Sequence, residues 1–352
     1  MEKNVLIQPD LPLASPGAGL GGEIKTTPET FQVTEIRPEQ PDGNGEHWIL
    51  TVERSGMTTE QVVDWLARSC ASPRAAIGYA GLKDRWSLAV QAFSVHLPQR
   101  ELPDLTPLLP AGLRILDAVR HRRKIRIGHL SGNHFRIFLS GAQCTPQHQE
   151  GAAMTAAWIK TYGFPNFFGP QRFGRAGDNV QNGLLMLAGE KTGGNRKQRG
   201  LYLSAVRSEL FNQVLAKRLT TNRFTQLLDG DVAQLQGRSA CFVVQSASLE
   251  QPRFAAGEIH PTGPLFGRSL LQPSGEPGNM EADIARTKAE AVTRLTEFSV
   301  QGERRALRVI PTDLTLTWEK KGLWLQFSLP RGAYATSLLR EFMQQKVGEK
   351  ND

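Results

Sequence analysis

The stretch Ile77-Gly-Tyr-Ala-Gly-Leu-Lys-Asp-Arg85 lies between a helical pattern and a strand pattern, and the elements around it decide the fold. Upstream, Thr58-Thr-Glu-Gln61 forms a capping box ahead of Val62, Trp65 and Leu66, so a helix is expected to about Ser69, with Pro73 marking its break. Downstream, Val90 to Leu97 reads as a strand in which Phe93, Val95 and Leu97 alternate. Earlier still, Phe31-Gln-Val-Thr-Glu-Ile36 alternates with Phe31, Val33 and Glu35 on one face, and His47-Trp-Ile-Leu-Thr-Val-Glu53 reads as a second strand. Strand, strand, helix, turn, strand belongs to an α+β domain and not to a doubly wound one. Within the turn, Gly78 and Gly81 permit backbone angles closed to other residues. Lys83 and Arg85 flank Asp84, and such cations favour a charged carboxylate in a partly closed site. Taken alone, Lys-Asp-Arg is the make-up of an ordinary solvated turn. Its weight comes from the rest of the chain.

The chain has 352 residues, which favours two domains, and its hydrophobic and charged fractions (39% and 22%) are those of a soluble globular protein. A net charge of +8 favours a polyanionic partner, nucleic acid before membrane. Cys70, Cys144 and Cys241 are far apart without a CxxC pair, which points to free thiols in a reducing compartment and away from a disulfide frame or zinc site. Met1 to Pro9 lacks a signal-peptide core, and no apolar run reaches the length of a membrane span. A cytoplasmic protein with no metal is expected.

Gly17-Ala-Gly-Leu-Gly-Gly22 satisfies G-x-G-x-x-G, but no buried strand precedes it and no helix follows, so it reads as a flexible lead-in. Gly189-Glu-Lys-Thr192 lacks the Gly-Lys junction of a P-loop. Arg120-His-Arg-Arg-Lys-Ile-Arg126 is the densest basic run. Such runs are usually solvated faces, yet this one precedes Gly128-His-Leu-Ser-Gly-Asn-His-Phe-Arg-Ile-Phe-Leu139, a turn and strand that suit an RNA contact. A helix is expected from about Ala152 through Trp158, then a Phe- and Gly-rich loop from Gly163 to Gly174, either pinned to a core or used for binding. Leu203, Val206, Leu210, Phe211, Val214 and Leu215 stripe a helix to Leu219. Phe224 to Gly302 reads as a separate unit: a short β stretch at Ala240–Val244, loops around His260–Gly267, a Pro/Gly-rich segment at Gln272–Gly278 and a helix from Glu281 to Glu297. A hairpin follows, with Leu314, Leu316 and Trp318 facing Leu323, Leu325, Phe327 and Leu329, then a helix carrying Leu338, Leu339, Phe342 and Met343. Strands early and late with a different middle suggest one domain inserted in another.

Six blocks resemble the TruD family of tRNA pseudouridine synthases, in the family's order and over nearly the whole chain. They are Phe31-Gln-Val-Thr-Glu35, Tyr79-Ala-Gly-Leu-Lys-Asp-Arg85, Gly132-Asn-His-Phe135, Asn166-Phe-Phe-Gly-Pro-Gln-Arg-Phe-Gly174, His260–Gly267, and Arg331-Gly-Ala-Tyr-Ala-Thr-Ser-Leu-Leu-Arg-Glu341. The resemblance implies an α+β fold: a pseudouridine-synthase catalytic core with a mixed, largely antiparallel sheet, residues 1–158 and 307–352, and an inserted smaller α/β TruD domain, residues 159–306. It implies tRNA as partner, uridine-13 as target, no cofactor, no membrane and no protein partner. Asp84 then takes the catalytic position, Phe31, Asn133 and Tyr334 bind the target nucleotide, and Phe135 stacks on the uracil. Lys25, Lys83, Arg85, Arg122, Arg123 and Arg172 are the cations expected to support the carboxylate or contact RNA. The chain departs from the family at Ser87 and Ala89, where Ala and Thr are usual, and at Tyr334, where Phe is common.

The chemistry suits these residues without the name. Isomerising uridine needs a carboxylate nucleophile or base, a flat face for the flipped base, and polar groups on its edge. A non-catalytic RNA-binding or RNA-folding factor is the alternative, and an intact Asp84 turn argues against it.

Overall fold

The capping box does start a helix. In the computed structural model, which describes residues 11–17, 19–174, 177–191, 194–298 and 300–344, α1 (Thr59–Ser69) opens with Thr58 Oγ1 accepting from Gln61 N–H at 3.2 Å. Gln61 Oε1 accepts in return from Thr58 N–H at 2.8 Å. Around α1 run β1 (Phe31–Ile36), β2 (His47–Arg54), β3 (Ile77–Tyr79), β4 (Leu88–His96), β5 (Leu113–His121) and β6 (Gly132–Ser140). The sequence pattern does not announce β5, because its pairing with β2 slips between Thr51 and Val52. Asp117 and Ile115 take consecutive partners, Leu116 is left between them half-exposed, and the period of two breaks.

The chain then passes through α2 (Pro146–Tyr162), β7 (Phe164–Pro165), α3 (Asn179–Leu187), α4 (Arg196–Thr220), β8 (Val232–Leu235), β9 (Cys241–Val243), α5 (Ala247–Ala255) and β10 (Ile259–Leu265). It continues with α6 (Gly275–Thr287), α7 (Ala289–Glu297), β11 (Glu303–Ala306) and β12 (Arg308–Val309) before the expected hairpin, β13 (Thr312–Glu319) and β14 (Gly322–Pro330), and α8 (Ala335–Met343). The hairpin joins the early strands in one sheet of order β13-β14-β6-β1-β4-β2-β5, with β3 also on β4. Only β1 and β4 run parallel in it, so the sheet is mixed and largely antiparallel, as expected. α1 covers the face that presents Leu50, Val52, Phe93 and Val95.

Two compact units result. The sheet unit is Gly22–Cys144 with Pro311–Gly332; the helical unit takes the described residues of Met1–Gly21, Thr145–Ile310 and Ala333–Asp352. These limits differ from 158/159 and 306/307 because α2, α8 and the segment before Gly22 pack together. Gly17 is no flexible lead-in: a Cβ there would lie 1.8 Å from Thr155 Oγ1 on α2. Leu20 N–H donates to Phe342 O at 2.9 Å, and the Glu341 carboxylate accepts from Ala14 and Ser15 N–H at 3.0 and 2.9 Å.

The helical unit pairs its strands antiparallel in the order β11-β10-β8-β9, with α4 packed on β10. Several readings change here. α2 begins at Pro146 behind a Thr145 cap, earlier than Ala152, since its first turn is polar. His260–Gly267 is mostly strand and not loop: Pro261 donates nothing, but its carbonyl accepts from Leu307 N–H at 2.9 Å. Gln272–Gly278 already enters α6, and the helix expected from Glu281 to Glu297 is two helices broken at Lys288. The Phe-rich loop is pinned to a core, with Phe167, Phe168 and Phe173 buried beside Phe211 and Leu215. Among the described residues, none of Cys70, Cys144 and Cys241 is in a disulfide. Met1–Pro9 and Thr192 lie outside the described residues, and among the described residues no helix is long and apolar enough to cross a membrane.

A buried imidazole gives this unit a measurable pH response. His260, 3% exposed, accepts from Arg308 Nε at Nδ1 (3.1 Å) and meets Gln236 Oε1 at Nε2 (2.9 Å). Burial first, and the Arg308 charge second, lower its pKa from 6.5 to about 4. The folded pKa is depressed, so the stabilisation is complete above pH 6.5 and is lost as pH falls toward 4, by about 1.4 kcal/mol per unit. Unfolding of the wild type and of His260→Gln, followed from pH 7 to 4, should show that slope in the wild type and a clearly flatter one in the variant.

Candidate active site

The turn between β3 and β4 has little regular structure of its own, and a buried polar network holds it. Arg54, fully buried at an inward position of β2, donates through Nη1 to the Asp84 carbonyl at 3.2 Å and to the Met57 carbonyl. Its Nη2 reaches Thr59 Oγ1 at 3.4 Å. That hydroxyl, in the first turn of α1, accepts from Lys83 N–H at 3.0 Å and donates to Gln91 Oε1 at 3.2 Å. Gln91 Nε2 in turn donates to Gly81 O at 2.5 Å, and Ser87 Oγ to Asp84 O at 2.8 Å. Burial pulls the Arg54 pKa down to about 10, with the Asp84 charge opposing. Neither Gly78 nor Gly81 takes a positive φ. Gly78 serves close approach instead, since a Cβ there would lie 2.3 Å from the Ile125 carbonyl oxygen.

Asp84 holds its carboxylate at the surface, about half exposed, and Lys25 is the cation that meets it, Nζ to Oδ2 at 2.5 Å. Lys25 Nζ also sits 4.5 Å over the ring of Phe31. Phe31 meets Phe135 edge to face at 6.3 Å, and Phe135 stacks on Phe327 at 5.5 Å. Lys83 turns away to a buried pair with Glu35, Nζ to Oε2 at 3.0 Å. Arg85 is exposed and donates to Gly56 O at 2.8 Å. Glu35 faces Asn133 across the β1–β6 ladder, as Val33 faces Phe135, so these four share one face of the sheet. Asn133 Oδ1 is buried there without a hydrogen-bond partner, and a buried acceptor of that kind is uncommon.

Lys25, Phe31, Lys83, Asp84, Asn133 and Phe135 therefore belong to one neighbourhood of the sheet unit. Sequence reasoning assigned no role to Arg54, Thr59, Gln91 or Glu35. The signal was present in two of them: Glu35 follows Phe31 and Val33 on a core face, and Arg54 follows Leu50 and Val52. A charge in such a position needs a partner.

The basic run divides. Arg120 belongs to the fold, donating to Gly45 O, Arg100 O and Glu101 and lying 4.6 Å from the Trp48 ring. Arg122, Arg123, Lys124 and Arg126 line a groove of about 800 Å³ with His47, His129 and Arg331. Arg122 is largely exposed there and pairs with Asp42 at 3.1 Å.

Tyr334 and Arg172 lie in the helical unit. Arg172 donates to Tyr334 Oη at 2.9 Å and to Ser204 Oγ at 3.0 Å. Tyr334 packs edge-on to Phe168 at 6.0 Å, and the Arg305 guanidinium covers the other ring at 4.1 Å. The hydroxyl that distinguishes Tyr334 from a Phe is thus the acceptor for Arg172.

The family described as tRNA pseudouridine synthase D (TruD) matches this chain over residues 12–193 and 194–342. A tRNA pseudouridine synthase D of Chromohalobacter salexigens is 38% identical over 356 residues, covering 99% of this chain and 100% of that protein. A solved structure from Methanosarcina mazei, assigned to tRNA pseudouridine synthase D (TruD), shares the fold with a TM-score of 0.78 over 95% of this chain and 96% of its own, at 21% identity. Sequence and fold both match along almost the entire length: the chain belongs to the tRNA pseudouridine synthase D (TruD) family, an enzyme family of isomerases.

Proposed function

We propose that this enzyme converts uridine to pseudouridine in tRNA, at uridine-13 by its family resemblance, with Asp84 as the reacting carboxylate. The observation that carries the reading is the Asp84–Lys25–Phe31 cluster, with an unpaired, buried Asn133 Oδ1 on the nearby sheet face. Isomerisation breaks the N1–C1′ bond, turns the uracil and rejoins it through C5, whose hydrogen leaves as a proton while N1 takes one up. Nothing is oxidised or reduced, and no group is gained. Asp84 supplies the anionic oxygen that attacks or takes a proton, and Lys25 fixes its orientation and balances its charge. Phe135, with Phe31, offers the uracil a flat apolar surface, and Asn133 Oδ1 suits the N3–H on its edge. Lys83 supports the site indirectly, since its pair with Glu35 anchors the residue before Asp84 to β1. We take residues 1–158 and 307–352 as the catalytic domain and 159–306 as the inserted one, which assigns both Asp84 and Tyr334 to the former.

The groove beside Arg122 and Arg123 suits the phosphates of the bound RNA. Each single-strand phosphate contact contributes about −0.7 to the slope of log affinity against log salt. Replacing Arg122 and Arg123 with Gln should weaken tRNA binding and flatten that slope by up to about 1.4. Unchanged affinity and slope would reduce the run to a solvated face.

Asp84→Asn keeps the shape of the side chain but not its charge. It should lower turnover on the order of 10⁴-fold or more and leave tRNA binding within a few-fold of wild type. The readout is tritium released from tRNA labelled at uridine C5. Substantial release by a folded Asp84→Asn variant would mean that another group does the chemistry.

A further inference from the structure

Trp86 stands two residues beyond the reacting carboxylate, and the chemistry above does not use it. Its side chain belongs to a residue 53% exposed, although tryptophan is highly buried on average. The ring is not loose. Its Nε1–H donates to the Lys25 carbonyl at 2.9 Å. Lys25 has a left-handed backbone, φ 59°, and its ammonium is the group that meets Asp84 at 2.5 Å. One lysine thus holds the indole by its main chain and the carboxylate by its side chain. Since an indole has a single polar group and that group is engaged, what the side chain of Trp86 offers to solvent is apolar ring. Leu82, 69% exposed, lies on the other side of Asp84 in sequence, and the exposed Arg85 adds a cation.

We propose that Trp86 is a stacking platform for the nucleobase next to the uridine that enters the Asp84 site. The proposal rests on the RNA reading given under Proposed function. A uridine drawn out of its stack leaves the adjoining base with one face uncovered, and that exposure is part of the cost of flipping. A flat ring anchored beside the reacting carboxylate covers that face. Every base has a π face, so the contact tolerates sequence, and the neighbouring cations favour a partner whose backbone is anionic. A peptide ligand would gain nothing from the cations unless it were acidic.

The test uses the full chain and tRNA tritiated at uridine C5, with Trp86→Leu and Trp86→Phe compared in KM and kcat. Leucine keeps apolar bulk without a flat face, and phenylalanine keeps a flat face without the indole N–H. Trp86→Leu should raise KM by about 5- to 150-fold, the range for one aromatic–base stack, while Trp86→Phe stays within a few-fold of wild type. The emission of Trp86, taken as the difference between wild type and Trp86→Phe, should be quenched when tRNA is added. A leucine variant that matches wild type overturns the proposal. So does a phenylalanine variant as damaged as the leucine one, because the bond to Lys25 and not the ring would then matter. A wild type that releases no tritium sinks the isomerase reading, whereas quenching of Trp86 by tRNA stands or falls independently of it.

Discussion

A guanidinium with almost no access to water underlies the Asp84 turn. Stripping Arg54 of solvent costs several kcal/mol unless its donors are met, and the acceptors present are the carbonyls of Met57 and Asp84 and the Thr59 hydroxyl. None of these is a carboxylate side chain. The bonds to the buried charge therefore fix main-chain atoms, and Asp84 is set in place by its carbonyl while its carboxylate stays available. Thr59 is the junction: it belongs to the first turn of α1, and its hydroxyl ties Arg54, Lys83 N–H and Gln91 together. Helix start, strand β2 and strand β4 thereby converge on a loop that has little regular hydrogen bonding of its own.

Charge placement follows the same logic in the side chains. Besides Arg54, three cations stand near Asp84 in sequence or space, and they are not equivalent. Lys25 is the direct partner, Lys83 is committed to Glu35, and Arg85 is turned to Gly56. Pairing Lys83 inside the sheet leaves the Asp84 carboxylate with one direct side-chain partner, Lys25.

The sheet unit was legible in sequence where period and chemistry agree. β1, β4, β6 and the late hairpin show alternation, the apolar run in His47–Glu53 marks β2, and the Thr58 box announces α1. β5 escaped because a bulge at Leu116 breaks its alternation. β10 escaped because Pro261, Gly263 and Pro264 look like a loop, and only the neighbouring strands β8 and β11 reveal that these residues pair. In the site, Asp84, Phe31, Asn133 and Phe135 came from motif resemblance. Which lysine meets the carboxylate could not be read, since Lys25 and Asp84 are 59 positions apart and adjacent charges in a turn need not face each other. Gly17 to Gly22 was misjudged for a related reason: glycines that admit a close helix look the same as glycines in a flexible tail.

The place of β14 in the sheet bears on how this chain is made. All nine residues of β6 pair with β14, which follows in sequence only after the entire helical middle. At 5–20 residues per second, β6 emerges roughly 10–40 s before its partner. During that interval one edge of β6 offers unpaired N–H and C=O groups, with Phe135, Ile137 and Leu139 close by. The early strands have no way to complete their sheet while the chain is still being extended. A nascent chain stalled in the helical middle would carry an open, apolar edge, the kind of surface that chaperones hold and that other unfinished copies can pair with.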